Sequence, residues 1–299
     1  MKTNSKYKYT QKIAFAFLAP WLIGVVVFSL VPMIASLYYS FTDYDMFNAP
    51  QWVGMGNYIE MFNDARFIQS AKVTAHYVAL GVPLQLIFAL FLAVIISDKI
   101  PGFKIFRAVY YVPSLLGGSV AIALLWRQVF GIDGLLNNLL SSLGFTQFEN
   151  ISWINNPGSA VNTLIVLLVW QFGSCMVIFV SAIKNIPDTL YEAAEIDGAG
   201  PVKRFFKITF PMLTPIIFFN LIMQLISAFQ AFTPAFIIGK GTGGFRDSIL
   251  FYTLYLYFKG FTQYEMGYAS AMAWFLLIVV GLLTLVLFGT SKFWVHYDD

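Results

Sequence analysis

Two apolar stretches of this chain carry side chains suited to holding a small polar molecule. Trp170, Gln171 and Ser174 lie in one, and Gln224, Ser227 and Gln230 in the other. Amides and hydroxyls exchange hydrogen bonds with a hydroxylated solute, and an indole face covers the apolar side of a ring. A neutral polyol or sugar fits such a set better than an anion, which would call for basic residues or helix N-termini. Gln224, Ser227 and Gln230 recur at three-residue steps, so on a helix they share one face. The competing reading is that the same groups tie helices together in lipid, the role assigned to Gln85 and His76. Covalent and metal chemistry has no comparable set. Cys175 is the single cysteine, so no internal disulfide forms, and it reads as a small buried hydrophobe. His76 and His296 lie far apart, which speaks against a metal site. No Gly-x4-Gly-Lys-Ser/Thr phosphate loop is present, and Gly239-Lys240-Gly241 lacks the hydroxyl residue such a loop needs. The chain is therefore expected to have no catalytic residues, to bind no cofactor or metal, and to hydrolyse no ATP itself.

A second group of residues is suited to mechanical contact. Between positions 184 and 212 the chain reads KNIPDTLYEAAEIDGAGPVKRFFKITFPM. Pro187-Asp188 starts a helix, with the acid favourable in its first turn. Leu190, Ala193, Ala194 and Ile196 give that helix an apolar side, and Gly198 and Gly200 permit a tight turn. Pro201 suits the first turn of a second helix, whose Phe205, Phe206 and Ile208 point back to the membrane. Lys203, Arg204 and Lys207 fall at headgroup level. The expectation is a compact helix–turn–helix knob.

Both groups must be held by helices in lipid. Of 299 residues 59% are hydrophobic and only 11% charged, against about 25% charged in a soluble domain. Six stretches lack Asp, Glu, Lys and Arg for at least a bilayer's width: Ile13–Thr42, Val73–Ser97, Ala108–Trp126, Asn150–Ile183, Ile208–Gly239 and Met266–Ser291. The fourth helix is expected to start near Ser159. Backbone in lipid must satisfy its own hydrogen bonds, so each stretch is expected to be a helix. The predicted fold is an all-α polytopic membrane protein with six transmembrane helices. Pro20, Pro32, Pro83, Pro113 and Pro234 are expected to kink helices. Twelve of the 18 basic residues fall in the N-terminus, the 98–107 loop, the 184–207 loop and the tail. These are therefore expected to be cytoplasmic, with both termini inside. The organisation read is a cytoplasmic segment 1–12, a transmembrane domain 13–292 with the knob at 184–212, and a cytoplasmic tail 293–299. The outer segments contain aromatics enough for short interfacial helices. A net charge of +3 with basic residues spread along the chain leaves no nucleic-acid footprint.

The 184–212 segment resembles the signature loop of binding-protein-dependent ABC importer permeases. Glu192-Ala193-Ala194, Gly198, Ile208 and Pro211 fall at the family spacing, with Phe210 where leucine is usual. The likeness extends to Trp52-Val53-Gly54, Gly56-Asn57-Tyr58, Phe62 and Asp64, to Phe106-Arg107 and Pro113, and to Gly243-Gly244 through Met266–Ala271, as in the sugar-permease branch of maltose-type importers. The resemblance implies a coupling helix docking on a separate ATPase, with Glu192, Ala193, Ala194, Asp197, Gly198, Ala199, Gly200, Ile208 and Pro211 forming the coupling site. It also implies a second homologous permease, two ATPase copies that carry ATP and Mg, and an extracytoplasmic solute-binding protein delivering a sugar. The place is the bacterial cytoplasmic membrane. Aligned on the loop, Trp170, Gln171, Ser174, Gln224 and Ser227 fall near the family's sugar-contacting region.

Other classes fit less well. A proton- or sodium-coupled secondary transporter would bury ionisable groups at mid-membrane, and the six stretches hold no carboxylate. A membrane-embedded enzyme would need a catalytic constellation within the spans. An ABC permease for a non-sugar solute is the runner-up.

Overall fold

The computed structural model describes residues 4–97 and 103–296, with side chains over 13–96 and 108–296. The expected cytoplasmic segments 1–12 and 98–107 and the tail thus lie partly outside the described residues. Among the described residues, five helical stretches are long and apolar enough to cross a bilayer: Ile13–Tyr39, Ala65–Ile96, Ala160–Lys184, Pro201–Ile238 and Met266–Ser291. The chain is an all-α, multi-pass membrane protein.

Helix α1 (Asn4–Val25) continues through a π-turn at Val26–Leu30 into α2 (Val31–Tyr39). A two-stranded antiparallel ribbon follows, β1 (Thr42–Asp43) with β2 (Gln51–Trp52), and then α3 (Gly56–Asn63) and the long α4 (Ala65–Ser97). The third apolar run departs from expectation. It forms α5 (Phe103–Leu116) and α6 (Val120–Val129), bent against each other by 100°, so the count reaches six spans only if this pair is one. The cause is Gly117-Gly118-Ser119. The glycines release the backbone, and the Ser119 hydroxyl accepts from the Ile122 amide at 3.3 Å to start a new helix. Counting charge-free residues cannot see such a stop and restart.

After α7 (Leu135–Ser142), the fourth span is α8 (Ala160–Trp170) and α9 (Gly173–Lys184), interrupted between Trp170 and Gly173. Helix α10 (Asp188–Ile196) and α11 (Pro201–Arg204) lead through a π-turn at Phe205–Thr209 into α12 (Phe210–Phe229) and α13 (Thr233–Ile238). Helix α14 (Tyr252–Tyr257), a third π-turn at Phe258–Thr262 and α15 (Met266–Ser291) complete the described chain.

Two of the π-turns end two residues before a proline, Pro32 and Pro211. Proline has no amide hydrogen and its ring presses on the carbonyl four residues back. The residue before each proline instead bonds back five residues, Val31 to Val26 and Phe210 to Phe205, which widens the turn.

The chain forms two compact units, one of residues 1–63 with 256–277 and one of 64–255 with 278–299. In the first, the Asn57 amide donates to the carbonyls of Ser40 and Thr42, both at 2.9 Å, and Tyr58 donates to the Ser40 hydroxyl at 2.9 Å. Trp52 stacks on Phe41 with ring centres 5.6 Å apart. These bonds fix the ribbon against α3. The ribbon's turn is held by Asp45, whose carboxylate accepts from the amides of Phe47 and Asn48 at 3.0 and 2.8 Å. In the second unit α4 packs against α8, α9 and α12, and α6 against α13. Ala89 and Ala93 on α4, and Leu164, Leu167, Met176 and Phe179 on α8 and α9, are buried. Lipid tails are as apolar as these side chains, so close packing of small against large residues, rather than escape from water, holds such helices together.

Candidate functional site

The knob has the predicted form, and its turn is built by glycine. Helix α10 ends at Asp197, and Gly198 takes φ +72. The Gly198 amide donates to the Glu195 carbonyl at 3.0 Å and the Ala199 amide to the Ala194 carbonyl at 2.8 Å. This paired ending is the Schellman arrangement, which satisfies carbonyls that the helix end leaves free. Gly200 then starts α11 with Pro201 as its first residue. Two bonds close the knob on its base: Tyr191 shares a 2.9 Å hydrogen bond with Thr209, and Arg204 pairs with Glu195 at 3.4 Å. The latter is exposed and contributes about 0–1 kcal/mol.

The knob's outer side is open. Ile196 is 88% exposed and Val202 72%. Glu192 and Ala193 are exposed too, while Ala194 and Ala199 are half-buried. Two bare aliphatic side chains and the exposed Glu192 carboxylate on one small knob make a surface fit to seat against another protein. Of the other signature residues, Ile208 lies half-buried in the π-turn and Pro211 half-buried just after it. Phe205 packs edge-on to Phe206 at 5.0 Å, but Phe206 itself is 62% exposed.

The second set gathers at the interruption in the fourth span. Gln171 stands between α8 and α9, and its carbonyl accepts from the Gln85 amide at 3.1 Å and the Ser114 hydroxyl at 2.9 Å. The Ser114 oxygen also accepts from the Ser174 amide at 2.9 Å. Helices α4 and α5 thus supply the partners that a continuous helix would have supplied itself. Two glycines permit the approach. A Cβ on Gly117 would enter the Gln171 side chain, and one on Gly173 would strike the Tyr110 carbonyl. Trp170 lies half-buried with its ring centre 5.8 Å from that of Trp126. Gln224, on α12, donates to the Cys175 sulfur at 3.3 Å.

The structure therefore brings Trp170, Gln171, Ser174 and Gln224 to one region of the second unit. Ser227 and Gln230 do not share in these bonds; both are exposed, and Gln230 caps the end of α12. Gln85 is buried, with its amide nitrogen on the Gln171 carbonyl and its Oε1 without a partner among the described residues. Ser114, Gly117 and Gly173 could not be read from the sequence: Ser114 and Gly117 matter because of a break in a different span, and Gly173 because the Tyr110 carbonyl of a different helix lies against it. Tyr191 and Thr209 were missed also, although Tyr191 lies one position before Glu192 within the knob.

A family described as "Binding-protein-dependent transport system inner membrane component" matches residues 53–293. The Bacillus subtilis (strain 168) protein "Probable ABC transporter permease protein YesP" is 54% identical over 300 residues, covering 100% of this chain and 96% of that protein. The "Lactose transport system permease protein LacF" of Rhizobium radiobacter is 31% identical over 293 residues, 97% of each chain. A solved chain of a bacterial alginate ABC transporter, in complex with its alginate pentasaccharide-bound periplasmic protein, superposes with a TM-score of 0.81. It covers 97% of this chain and 98% of that one at 21% identity.

Proposed function

We propose, from the premise that the chain belongs to the binding-protein-dependent transport system inner membrane components, that it is one of two membrane subunits of an ATP-driven sugar importer. Relatives named for lactose and for starch degradation products support sugar as the cargo. The chain is a transport subunit and not an enzyme. The reading assigns ATP and Mg to two copies of a separate ATPase, and pairs the chain with a second homologous permease. A solute-binding protein delivers the sugar on the outer face, and both termini and the knob lie in the cytoplasm.

The observation that carries the reading is the knob itself. A Schellman-closed helix with Glu192, Ala193 and Ile196 outermost is tied at its base by Tyr191–Thr209 to the start of α12. Force applied at the knob therefore passes into a membrane helix. Closure of the ATPases moves the knobs, and the helices switch between inward-facing and outward-facing packings, a shift between two states rather than a reaction. Trp170, Gln171, Ser174 and Gln224 are the proposed sugar contacts, with Ser227 and Gln230 further along the same path. A broken span at the binding residues suits this role, since interrupted helices expose backbone polar groups only where a cavity or protein receives them.

The test is coupling in proteoliposomes. Glu192→Ala and Gly198→Asp are expected to leave the assembly intact while lowering sugar transported per ATP hydrolysed. Normal uptake and normal binding-protein-stimulated hydrolysis in both variants would reject the assignment of the knob.

A further inference from the structure

We propose that a cavity lined by Arg127, Lys240 and Phe245 binds a carboxylate-bearing saccharide, so that the importer's cargo is a uronate-containing sugar. The inference rests on the importer reading and names its substrate class. The cavity measures about 610 Å3 and lies wholly within the second unit, inside the range of about 300–1,000 Å3 usual for small-molecule sites. Its walls are the end of α6, the segment leading to α8, and the loop after α13. They present two cations (Arg127 and Lys240), the neutral hydrogen-bonding side chains of Ser152, Asn155 and Thr242, and the ring of Phe245, but no carboxylate. A second cavity, in the other unit, has the opposite character, with Asp43, Glu60 and Glu265 in its lining. The two cavities thus differ in the sign of their lining.

Neither Arg127 nor Lys240 has an ion-pair or hydrogen-bond partner for its side chain among the described residues. Unpaired cations facing one concavity, here the exposed Lys240 and the half-buried Arg127, raise the local potential that draws anions. Lys240 is placed there against the preference of its backbone. Helix α13 ends in a Schellman turn, with the Lys240 amide on the Ile237 carbonyl at 3.2 Å and the Gly241 amide on the Phe236 carbonyl at 2.7 Å. The residue at the left-handed position of such a turn is usually glycine, yet here it is Lys240 with φ +53. Arg246 and Asp247 in the same loop take φ +55 and +54. A bidentate pair from Arg66 to Asp247, at 2.8 and 2.9 Å, holds that part of the loop in place. Strained backbone persists where the surroundings over-determine it, and such residues gather at ligand sites.

The chemistry of the walls selects among anions. A uronate joins a carboxylate to hydroxyls and an apolar ring face. Arg127 and Lys240 match the first, the amide and hydroxyl side chains the second, and Phe245, 58% exposed, the third. An inorganic anion would leave the ring and the amide unused. A carboxylate side chain from the binding protein would fill only a small part of the volume. The neutral set at the fourth-span break then holds the sugar body, while this cavity, at the other end of α8 and α12 from the knob, reads its charge.

The test uses the complete assembly in nanodiscs, with trigalacturonate and its uncharged methyl ester as probes. The acid is expected to bind at least tenfold more tightly than the ester, with the preference shrinking as salt is raised. Arg127→Gln and Lys240→Asn should each erase the preference, asparagine being chosen because it tolerates the left-handed backbone. Arg127→Lys should restore part of it, and Lys72→Gln, at an exposed α4 cation outside the cavity lining, should leave it intact. Equal binding of acid and ester by the unaltered assembly would overturn the proposal. So would variants that keep the preference but lose docking of the sugar-free binding protein, which would assign the cavity to a protein carboxylate. Stimulated ATP hydrolysis on the same samples separates the two readings: if it is missing with every saccharide the importer reading fails, and if it is present with equal binding only this inference fails.

Discussion

A side chain at position 198 would meet open space and still be strained, because the demand there is on the backbone at φ +72 and not on volume. Asparagine visits this region at small cost, whereas a β-branched residue pays about 1–2 kcal/mol. Gly198→Asn is therefore expected to keep more sugar transported per ATP than Gly198→Val, and equal coupling ratios would remove the left-handed turn from the account. Position 173 makes the opposite demand. Its φ is ordinary, but a Cβ would strike the Tyr110 carbonyl. Gly173→Ala should cost about 1–3 kcal/mol through overpacking, read as a lower melting temperature of the purified assembly with the knob's coupling ratio unchanged. The two glycines also show what a sequence discloses. Gly198 could be read because its partners lie within a few residues, in a loop whose spacing is fixed. Gly173 could not, since the atom that excludes a side chain belongs to another helix.

At the scale of elements, the charge-free runs located the helices because lipid leaves the backbone no other way to bond. Their internal breaks were not legible from charge. The bend at Gly117–Ser119 restarts on its own Ser119 hydroxyl, whereas the interruption at Gln171 uses neutral residues and is recognised only by the neighbouring Ser114 and Gln85 that catch its freed carbonyl. The π-turn before Pro211 has a mechanical consequence. It adds one residue to a turn, so removing it would rotate the knob by about 100° relative to α12. Pro211→Ala restores the missing donor and is expected to let a regular α-helix form there. Spin labels on α10 and α12 should then report a changed distance, with loss of coupling; an unchanged distance would show that the proline does not maintain the turn. The ribbon gives a pH prediction. The Asn48 amide, then the Asn48 side chain and the Phe47 amide, hold the Asp45 carboxyl below its ordinary value. A depressed folded pKa means the turn's stabilisation is complete at neutral pH and fades as pH falls through that lowered value. Amide exchange at Phe47 and Asn48 should accelerate in acid beyond its intrinsic trend, and Asp45→Asn should abolish that excess.

For the molecule as a whole, the short supply of charge pointed to a membrane protein, and the placement of lysine and arginine is the ground for the proposed orientation with the knob inside. The family match over 53–293 and the closely covered relatives agree with a transport subunit. What no composition or spacing disclosed is the cavity beside Lys240, whose glycine-flanked tripeptide is not a phosphate loop. There Arg127 lines the same concavity as Lys240 and Phe245, which belong to a loop far along the chain. The central claim is that this chain works only within an ATP-driven assembly reached through the knob. The direct measurement is gentle detergent purification of the tagged chain from its native membrane, with mass spectrometry of what accompanies it. The account predicts a second permease bearing the same loop signature and a soluble ATPase, with the ATPase depleted when Ile196 is replaced by aspartate. A chain that purifies alone or only with copies of itself, and shows no associated ATP hydrolysis, would contradict it.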